Sequence, residues 1–193
     1  MSYQYLTQVS SLLRSGVNVD WFADSLSDTQ YRSKRWLVEQ LYDHSTPMAS
    51  ILIVGGWYGS YLVPMLDSTI KPSKITLNDI DSNVLNAASL LHRNTKCLFE
   101  TDLFDADKSS VRRHVDILIN TSCEHMNTIG DGCVSNDDCL YVLQSCDNKN
   151  DPGHINVARS TEEFIEQTGL TEVVFSGRQN LGHKNRFMVI GYK

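Results

Sequence analysis

Hydrophobic positions at the start of the chain recur at helical spacing, with polar residues between them. Residues 4–14 place four aliphatic side chains on one helical face: Leu6, Val9, Leu12 and Leu13. This spacing predicts an amphipathic helix that ends at Gly16. Residues 18–20 predict a loop that leads to Trp21 and Phe22. Residues 27–30, Ser-Asp-Thr-Gln, match a capping box and predict a second helix that runs to about residue 43.

From residue 51 onward, short apolar runs alternate with helical patterns, which is typical of a parallel α/β sheet. The apolar runs predict strands over residues 51–54, 75–79, 97–100, 115–120 and 139–145. Further helices are expected to begin at Ser60, at Asp81 as a capping residue, and at a second capping box over residues 160–163. A short helix is also expected within residues 105–114.

The last two predicted strands, residues 172–175 and 186–190, differ from the others in their connection. Residues 178–185 between them leave no room for a crossover helix. Strands joined in this way must pair antiparallel. The sequence therefore predicts a closing hairpin on an otherwise parallel sheet.

Residues 51–59, Ile-Leu-Ile-Val-Gly-Gly-Trp-Tyr-Gly, join the first core strand to the helix that follows. We expect Gly55 to form the tight turn, and Gly56 and Gly59 to let backbone and ligand come close, since a Cβ would stand in the way. The first amides of the helix would then face an anionic group. Strand, glycine turn and helix form the nucleotide-binding half of a doubly wound sheet. The alternative is a plain turn that packs and binds nothing.

Composition and charge narrow the class of protein. The chain has 193 residues, of which 41% are hydrophobic and 21% charged, which suits one globular domain with a sizeable core. The formal charge of −6 argues against a broad electrostatic grip on nucleic acid. No apolar run approaches the length of a membrane span, and the N-terminal residues lack the pattern of a signal sequence. We expect a cytoplasmic protein without a membrane partner.

For two sets of side chains we prefer a structural interpretation to a functional one. Arg32, Lys34 and Arg35 form a basic cluster that could touch an acidic substrate but is more typical of a solvated helix face. The five cysteines are odd in number and contain no C-x-x-C pair: Cys97, Cys123, Cys133, Cys139 and Cys146. They predict reduced, mostly buried thiols, with neither a disulfide framework nor a metal site.

The order of these elements, with the closing antiparallel pair, resembles the class I S-adenosylmethionine-dependent methyltransferase family from about residue 50 to the C-terminus. The resemblance implies a Rossmann-like, doubly wound, mostly parallel seven-stranded sheet with an antiparallel C-terminal hairpin strand. We expect a single domain over residues 1–193. Residues 1–46 would form an N-terminal helical cap, and residues 47–193 the methyltransferase-like core that binds S-adenosylmethionine.

The resemblance also implies which residues bind the cofactor. Asp79 would accept hydrogen bonds from the ribose hydroxyls, and Asp102 would take the adenine amino group with Leu103 offering its amide to a ring nitrogen. Asn120 and Thr121 would face the place where the methyl group is transferred. The cofactor-binding residues expected on this basis are Gly55, Gly56, Trp57, Tyr58, Gly59, Asp79, Ile80, Asp102, Leu103, Asn120 and Thr121.

Two positions depart from the family's pattern. The acidic residue that usually precedes the first glycine by two places is Ile53, and the middle glycine of the turn is Trp57. The amino group of the cofactor is therefore expected to be held differently, by a carboxylate elsewhere. Trp57 or Tyr58 could lie against the sulfonium cation or pack in the core.

Residues 120–126, Asn-Thr-Ser-Cys-Glu-His-Met, follow the fourth core strand, where the methyl acceptor would bind. We select Asn120, Glu124 and His125 as candidate catalytic residues. Glu124 would orient or deprotonate a substrate nitrogen, and His125 would serve as a base near neutral pH. The alternative is that Glu124 caps a short helix and His125 bonds a backbone carbonyl. The other histidines are expected to be structural or exposed: His44, His92, His114, His154 and His183.

Three hypotheses about function follow. The first is a methyltransferase that uses S-adenosylmethionine to methylate a nitrogen or oxygen of a small molecule, protein or peptide. The second, motivated by Ile53 and Trp57, is a non-catalytic S-adenosylmethionine-binding or partner module on the same fold. The third is an NAD-dependent oxidoreductase, which fits the spacing of the turn to Asp79 but lacks the G-x-G-x-x-G order.

Overall fold

The computed structural model describes residues 3–14, 16–109, 111–151 and 153–193, with the backbone alone for residues 3–5. Three helices precede the sheet: α1 (Tyr3–Arg14), α2 (Val19–Ser25) and α3 (Asp28–Tyr42). The predicted first and second helices are confirmed as α1 and α3, and Ser27 caps α3 by accepting from the Gln30 amide at 3.4 Å. The loop expected over residues 18–20 is corrected, because α2 begins at Val19 and Asn18 caps it by accepting from the Trp21 amide.

The sheet and its helices follow in sequence. Its strands are β1 (Ser50–Val54), β2 (Lys74–Asp79), β3 (Leu98–Leu103), β4 (Ile117–Asn120), β5 (Leu140–Cys146), β6 (Glu172–Asn180) and β7 (Asn185–Tyr192). The helices between them are α4 (Leu62–Thr69), α5 (Ser82–His92) and α6 (Thr161–Thr168). Two short 3-10 helices, Cys123–His125 and Asp131–Cys133, separate β4 from β5. The expected caps are confirmed at Asp81 for α5 and Ser160 for α6.

The seven strands lie in the order β3-β2-β1-β4-β5-β7-β6. Strands β1 to β5 are parallel to one another, whereas β7 runs antiparallel to both β5 and β6. The order reverses at β1, since β2 and β4 lie on its two sides. Ligands of open α/β sheets bind outside the carboxyl ends of the strands at such a point. The predicted fold class, including the closing hairpin, is confirmed.

The core lies on both faces of the sheet. Alternate residues of β1 enter different hydrophobic clusters, with Ile51 and Ile53 on the face of α4 and Leu52 and Val54 on the opposite face. All four side chains are buried, which explains why β1 reads as a continuous apolar run. None of the helices in the described ranges is long and apolar enough to cross a bilayer.

The segment after β2 departs from the prediction in two places. Strand β3 continues to Leu103, so Asp102 lies inside the strand opposite Asn78 rather than beyond its end. The Asn78 amide supports this extension, since it donates to the carbonyls of Asp102 and Phe104 at 3.1 and 2.8 Å. Residues 105–109 and 111–114, the described part of the segment expected to hold a short helix, contain turns and no helix.

Candidate active site

A cavity of about 850 Å³ lies at the carboxyl ends of β1, β2 and β4. Its volume is in the range of small-molecule and cofactor sites. Helices α2 and α3 contribute five wall residues: Trp21, Asp24, Ser25, Gln30 and Lys34. The sheet and its loops contribute Gly55, Gly56, Trp57, Gly59, Asn78, Asp79, Ile80, Asp105, Ala106, Asp107, Thr121, Ser122, Glu124, His125, Met126, Asp151, His154, Lys184 and Arg186, among others.

The glycine turn has the strained backbone that its sequence indicates. Gly55 and Gly59 have left-handed φ angles of 57° and 61°. A Cβ on Gly59 would come within 2.7 Å of Leu77 and Val63, and one on Gly56 within 2.9 Å of Leu77. These two glycines therefore allow the turn to pack on the protein's own sheet and helix. The expectation that they also let a ligand come close stays a prediction, and both glycines do line the cavity.

The side chains of Trp57 and Tyr58 lie in different environments. Trp57 keeps a left-handed φ of 52° although it is not glycine, and it borders the cavity. Its ring lies 5.3 Å from that of Tyr58. Tyr58 is buried against Phe22 and does not line the cavity. Of the two aromatic candidates for a cation contact, only Trp57 has access to a ligand, and its indole leaves the cavity open.

Asp79 stands at the end of β2 on the cavity wall, as predicted. Its two oxygens accept from the Trp57 amide at 2.9 Å and from the Asp81 amide at 3.1 Å. These bonds fix the carboxylate against the glycine turn. Each oxygen keeps a second lone pair, so the group can still accept from a ligand. Ile80 also lines the wall and is largely exposed.

Asp102 and Leu103 lie away from the cavity wall, which corrects the expectation for both. The Asp102 carboxylate pairs with the Arg113 guanidinium, which also stacks 4.6 Å over the Phe104 ring. Leu103 is exposed to solvent. The physical reason is the longer β3, which carries Asp102 into the sheet instead of leaving it at the strand end.

Asp107, which the sequence did not single out, occupies the wall near this position. Its oxygens accept four hydrogen bonds of 2.8 to 3.1 Å from the backbone and side chains of Asn127 and Thr128. Burial acts to raise the pKa of Asp107, but these bonds outweigh it and hold the pKa below its usual value. Asp107 thereby anchors the loop after β4.

Asn120 is fully buried and does not line the cavity, which corrects its selection as a catalytic residue. Its side chain donates to the Ile129 carbonyl at 3.2 Å and accepts from the Ser122 amide at 2.8 Å. These contacts shape the turn after β4. Thr121, the next residue, does reach the wall, and its carbonyl accepts from Arg186.

Glu124 is a buried wall residue whose Oε1 accepts from Arg186 Nη1 at 2.5 Å. Burial acts to raise the Glu124 pKa, but the charge of Arg186 outweighs it and keeps the pKa below its usual value. Within the described residues, Glu124 Oε2 has no hydrogen-bond partner. The site thus holds an ionised carboxylate with one buried oxygen that lacks a hydrogen-bond partner among the described residues.

Two histidines stand side by side on the wall, His125 as predicted and His154 against the expectation. Their rings meet edge to face at 4.5 Å. His125 Nδ1 lies 2.9 Å from the Gly153 carbonyl, and His154 Nδ1 lies 2.5 Å from the Asn148 carbonyl. Because a carbonyl only accepts, Nδ1 of each ring carries a proton, so Nε2 is the atom that can accept a proton in the neutral form of either ring.

Lys34 also lines the cavity, so the three basic residues on α3 do not share one environment. Arg32 and Arg35 remain on the surface beside Asp28 and Glu39, as expected for a solvated face. Burial and the positive charge of Arg186 lower the pKa of the Lys34 amino group well below its usual value, although the Glu124 charge opposes this. The preferred solvated interpretation is therefore corrected for Lys34.

Glu124, Cys146 and His154 bring possible metal-ligand atoms within 4.8 Å of one another. Burial and the Glu124 charge raise the pKa of the Cys146 thiol, so the sulfur is protonated at neutral pH. Arg186 already neutralises the carboxylate, and a divalent cation would stand beside its guanidinium. We therefore assign no metal to this cluster.

Comparisons with known proteins point to one fold. No protein-family model matches the sequence, and no curated protein does. Solved structures match over most of the chain. The 1,6-didemethyltoxoflavin-N1-methyltransferase of Burkholderia thailandensis, solved with bound 1,6-didemethyltoxoflavin and S-adenosylhomocysteine, gives a TM-score of 0.66 at 12% identity over 97% of this chain and 89% of that chain.

Two further structures agree. Magnesium protoporphyrin IX methyltransferase of Synechocystis PCC 6803 with bound SAH gives a TM-score of 0.65 at 9% identity, covering 99% of this chain and 94% of that one. The N-methyltransferase NodS of Bradyrhizobium japonicum WM9 gives a TM-score of 0.66 at 11% identity, covering 88% of this chain and 98% of that one. Likeness at such low identity establishes the fold alone. The chain has the Rossmann-like fold of the class I S-adenosylmethionine-dependent methyltransferases, as the order of its sequence elements predicted.

Proposed function

We propose that the protein is a methyltransferase that uses S-adenosylmethionine to methylate a nitrogen or oxygen atom of a small molecule. One observation carries the proposal: a single cavity joins the Asp79 carboxylate and glycine turn to the ionised, half-satisfied carboxylate of Glu124. Asp79 and the glycine turn suit a nucleoside with a vicinal diol, and the Glu124 carboxylate suits a nucleophile that carries a proton. The solved neighbours that contain S-adenosylhomocysteine support the same cofactor.

The residues present fit this cofactor. Asp79 is fixed by two backbone amides with lone pairs to spare, and the cavity volume of about 850 Å³ suits a nucleoside together with a small acceptor. Ile53 is buried in the core, so the methionine amino group must be held by another wall residue. Asp24 on α2 is a wall carboxylate that could do so. The Asp105–Asp107 segment takes the place first assigned to Asp102 beside the base.

S-adenosylmethionine, when bound, supplies an electrophilic methyl group whose C–S bond breaks on transfer. Glu124 accepts a hydrogen bond from the N–H or O–H of the acceptor and orients its lone pair. Arg186 keeps that carboxylate charged. His125 presents Nε2 with a lone pair, which takes the acceptor's proton as the new bond to carbon forms. Helices α2 and α3 contribute five residues to the cavity wall, so we propose that residues 1–46 act as a cap on the core formed by residues 47–193 and limit the access of water.

Calorimetric titration with S-adenosylhomocysteine tests the cofactor assignment. We expect saturable binding at one site per chain. An absence of heat at millimolar ligand would overturn the proposal. A parallel fluorescence titration with NADH tests the oxidoreductase alternative, for which we expect no binding.

A non-catalytic binding module on the same fold is the second candidate, favoured by the buried Ile53 in place of an acid. Release of S-adenosylhomocysteine from S-adenosylmethionine during acceptor screening separates the two. For an enzyme, His125→Gln lowers turnover and leaves cofactor affinity unchanged, whereas His44→Gln changes neither. Cofactor binding without turnover on any acceptor, and indifference to His125→Gln, would favour the module.

A further inference from the structure

The cavity wall has three carboxylates on one side and three cations on the other, and the cationic side also holds Glu124 and Asp151. Asp79, Asp105 and Asp107 lie on the side of β2 and β3. Lys34, Lys184 and Arg186 lie on the opposite side, where α3 packs on the sheet and β7 begins. Strand order explains the separation, because β2 and β3 lie to one side of β1 while β5 and β7 lie to the other. A protein of net charge −6 thus brings three cations together at one end of this cavity.

These three cations are not equally available to an anionic ligand. Arg186 is paired with Glu124 and the Thr121 carbonyl. Neither the Lys34 nor the Lys184 amino group makes a hydrogen bond or ion pair with any residue in the described ranges, although both side chains are half-buried. A cation held partly out of water without a counterion is unfavourable. The pair therefore leaves room for an anionic group supplied by a ligand.

The position of Lys34 is fixed by its neighbour in α3. Ser33 Oγ donates to Gln144 Oε1 at 3.0 Å, and Gln144 Nε2 donates back to the Ser33 carbonyl at 3.3 Å. Both residues are buried. Since Gln144 belongs to β5, these two bonds hold α3 on the sheet beside the cavity. Lys34 is thus held over the acceptor end by a specific contact, which a solvated lysine would not require.

We infer that the methyl acceptor carries a carboxylate or phosphate group, and that Lys34 and Lys184 bind this anion while Glu124 faces the nucleophile. The inference rests on the proposed methyltransferase function, whose acceptor it narrows to an anionic small molecule. Lys34 and Lys184 are specificity-determining residues in this arrangement. They hold the acceptor by charge at one end, so that its N–H or O–H lies near the free oxygen of Glu124.

The test is an anion titration of the purified full-length protein, with and without saturating S-adenosylhomocysteine. Sodium phosphate and sodium acetate are the two probes, and sodium chloride at matched ionic strength is the reference. Binding is measured by calorimetry and by the shift in melting temperature. We expect phosphate, acetate or both to bind saturably and to raise the melting temperature above the chloride reference. Their relative strength identifies which anionic group the site prefers.

Matched variants assign the binding to the cavity lysines. Lys34→Gln should weaken anion binding about tenfold, the factor that corresponds to losing one charge-assisted hydrogen bond. Lys184→Gln should act in the same direction. Arg35→Gln removes one positive charge from the same helix, but its partner is Glu39 on the surface, so anion binding should be unchanged.

The outcomes separate this inference from the proposed function. If S-adenosylhomocysteine binds but the anions bind no better than chloride, or if Lys34→Gln and Arg35→Gln behave alike, the inference is overturned and the proposed function stands. If S-adenosylhomocysteine fails to bind, both are overturned. Cofactor affinity should be the same in all three variants, which also shows that each one is folded.

Discussion

Glu124 and Arg186 form a buried ion pair across the acceptor end of the cavity, with Arg186 Nη1 2.5 Å from Glu124 Oε1. Their side chains are 5% and 7% exposed. The pair joins the turn after β4 to the start of β7, although 62 positions separate the two residues in the sequence. It therefore fixes both the Glu124 carboxylate and the edge of the sheet beside Lys184.

Removing one member of this pair should destabilise the protein more than removing both. Arg186→Met leaves a buried carboxylate without its counterion, and a loss of about 3–5 kcal/mol in the free energy of unfolding is expected. Glu124→Gln combined with Arg186→Met leaves no unpaired charge and should lose less than Arg186→Met alone. Urea unfolding at pH 7 measures all variants. Additive losses in the double variant would contradict a direct interaction.

Stability should also fall between neutral and mildly acidic pH because of His92, which lies behind the glycine turn. His92 Nε2 donates to the Tyr58 carbonyl at 2.8 Å. Burial lowers the His92 pKa to about 4, against the opposing effect of that hydrogen bond. The unfolded value is about 6.5, so between these values the unfolded chain binds the proton and the folded chain does not. The contribution of neutral His92 to the free energy of unfolding is thus fully present above pH 6.5 and is lost as the pH falls toward 4.

The expected size of this effect is about 2 kcal/mol between pH 7 and pH 5. His92→Gln keeps a donor toward Tyr58 but does not titrate, so its unfolding free energy should change less over the same interval. Urea unfolding of both proteins at the two pH values gives the difference directly. Equal pH dependence would show that His92 does not titrate differently in the folded protein.

The sequence predicted those features that depend on neighbours along the chain. The helix caps at Ser27 and Ser160, the strand-turn-helix around Gly55 and the closing hairpin each follow from residues within a few positions of one another. Asp79 was placed correctly because it ends a short strand in which the apolar residues Ile75 and Leu77 alternate with polar ones. Local pattern was sufficient in each of these cases.

The rest depended on contacts between distant segments. Asp102 could be assigned to adenine from its order in the chain, but Arg113 binds it inside a strand that Asn78 extends. Lys34 looks like a surface lysine until Gln144 holds its helix over the cavity. No short motif marks His154, which reaches the wall because the loop after β5 returns to His125. Such pairings arise only in the folded chain.

A matched pair of glycines separates backbone strain from packing in the turn. Gly59 and Gly169 have nearly the same φ, 61° and 63°. A Cβ on Gly59 meets Leu77 and Val63 at 2.7 Å, whereas one on Gly169 meets nothing within 4 Å. Gly169→Ala should therefore cost about 1–2 kcal/mol from conformation alone. Gly59→Ala should cost about 1–3 kcal/mol more because the side chains must also move apart.

Thermal or urea unfolding of these two alanine variants provides the measurement. Equal losses would show that the close approach to Leu77 is relieved without cost. S-adenosylhomocysteine affinity gives a second readout. It should fall in Gly59→Ala, whose turn borders the cavity, and remain unchanged in Gly169→Ala, which lies at the end of α6.

Asp79→Asn and Asp102→Asn discriminate between the cavity described here and the placement that chain order alone suggests. Asp79 borders the cavity, whereas Asp102 pairs with Arg113 away from it. Asp79→Asn replaces one acceptor oxygen by a donor, and calorimetry should find S-adenosylhomocysteine affinity lowered about tenfold or more. Asp102→Asn should leave that affinity unchanged while lowering the melting temperature. Circular dichroism confirms that both variants are folded. If Asp102→Asn weakened cofactor binding as much as Asp79→Asn does, the adenine would have to lie along β3, and the assignment of the 105–107 segment to the base would be wrong.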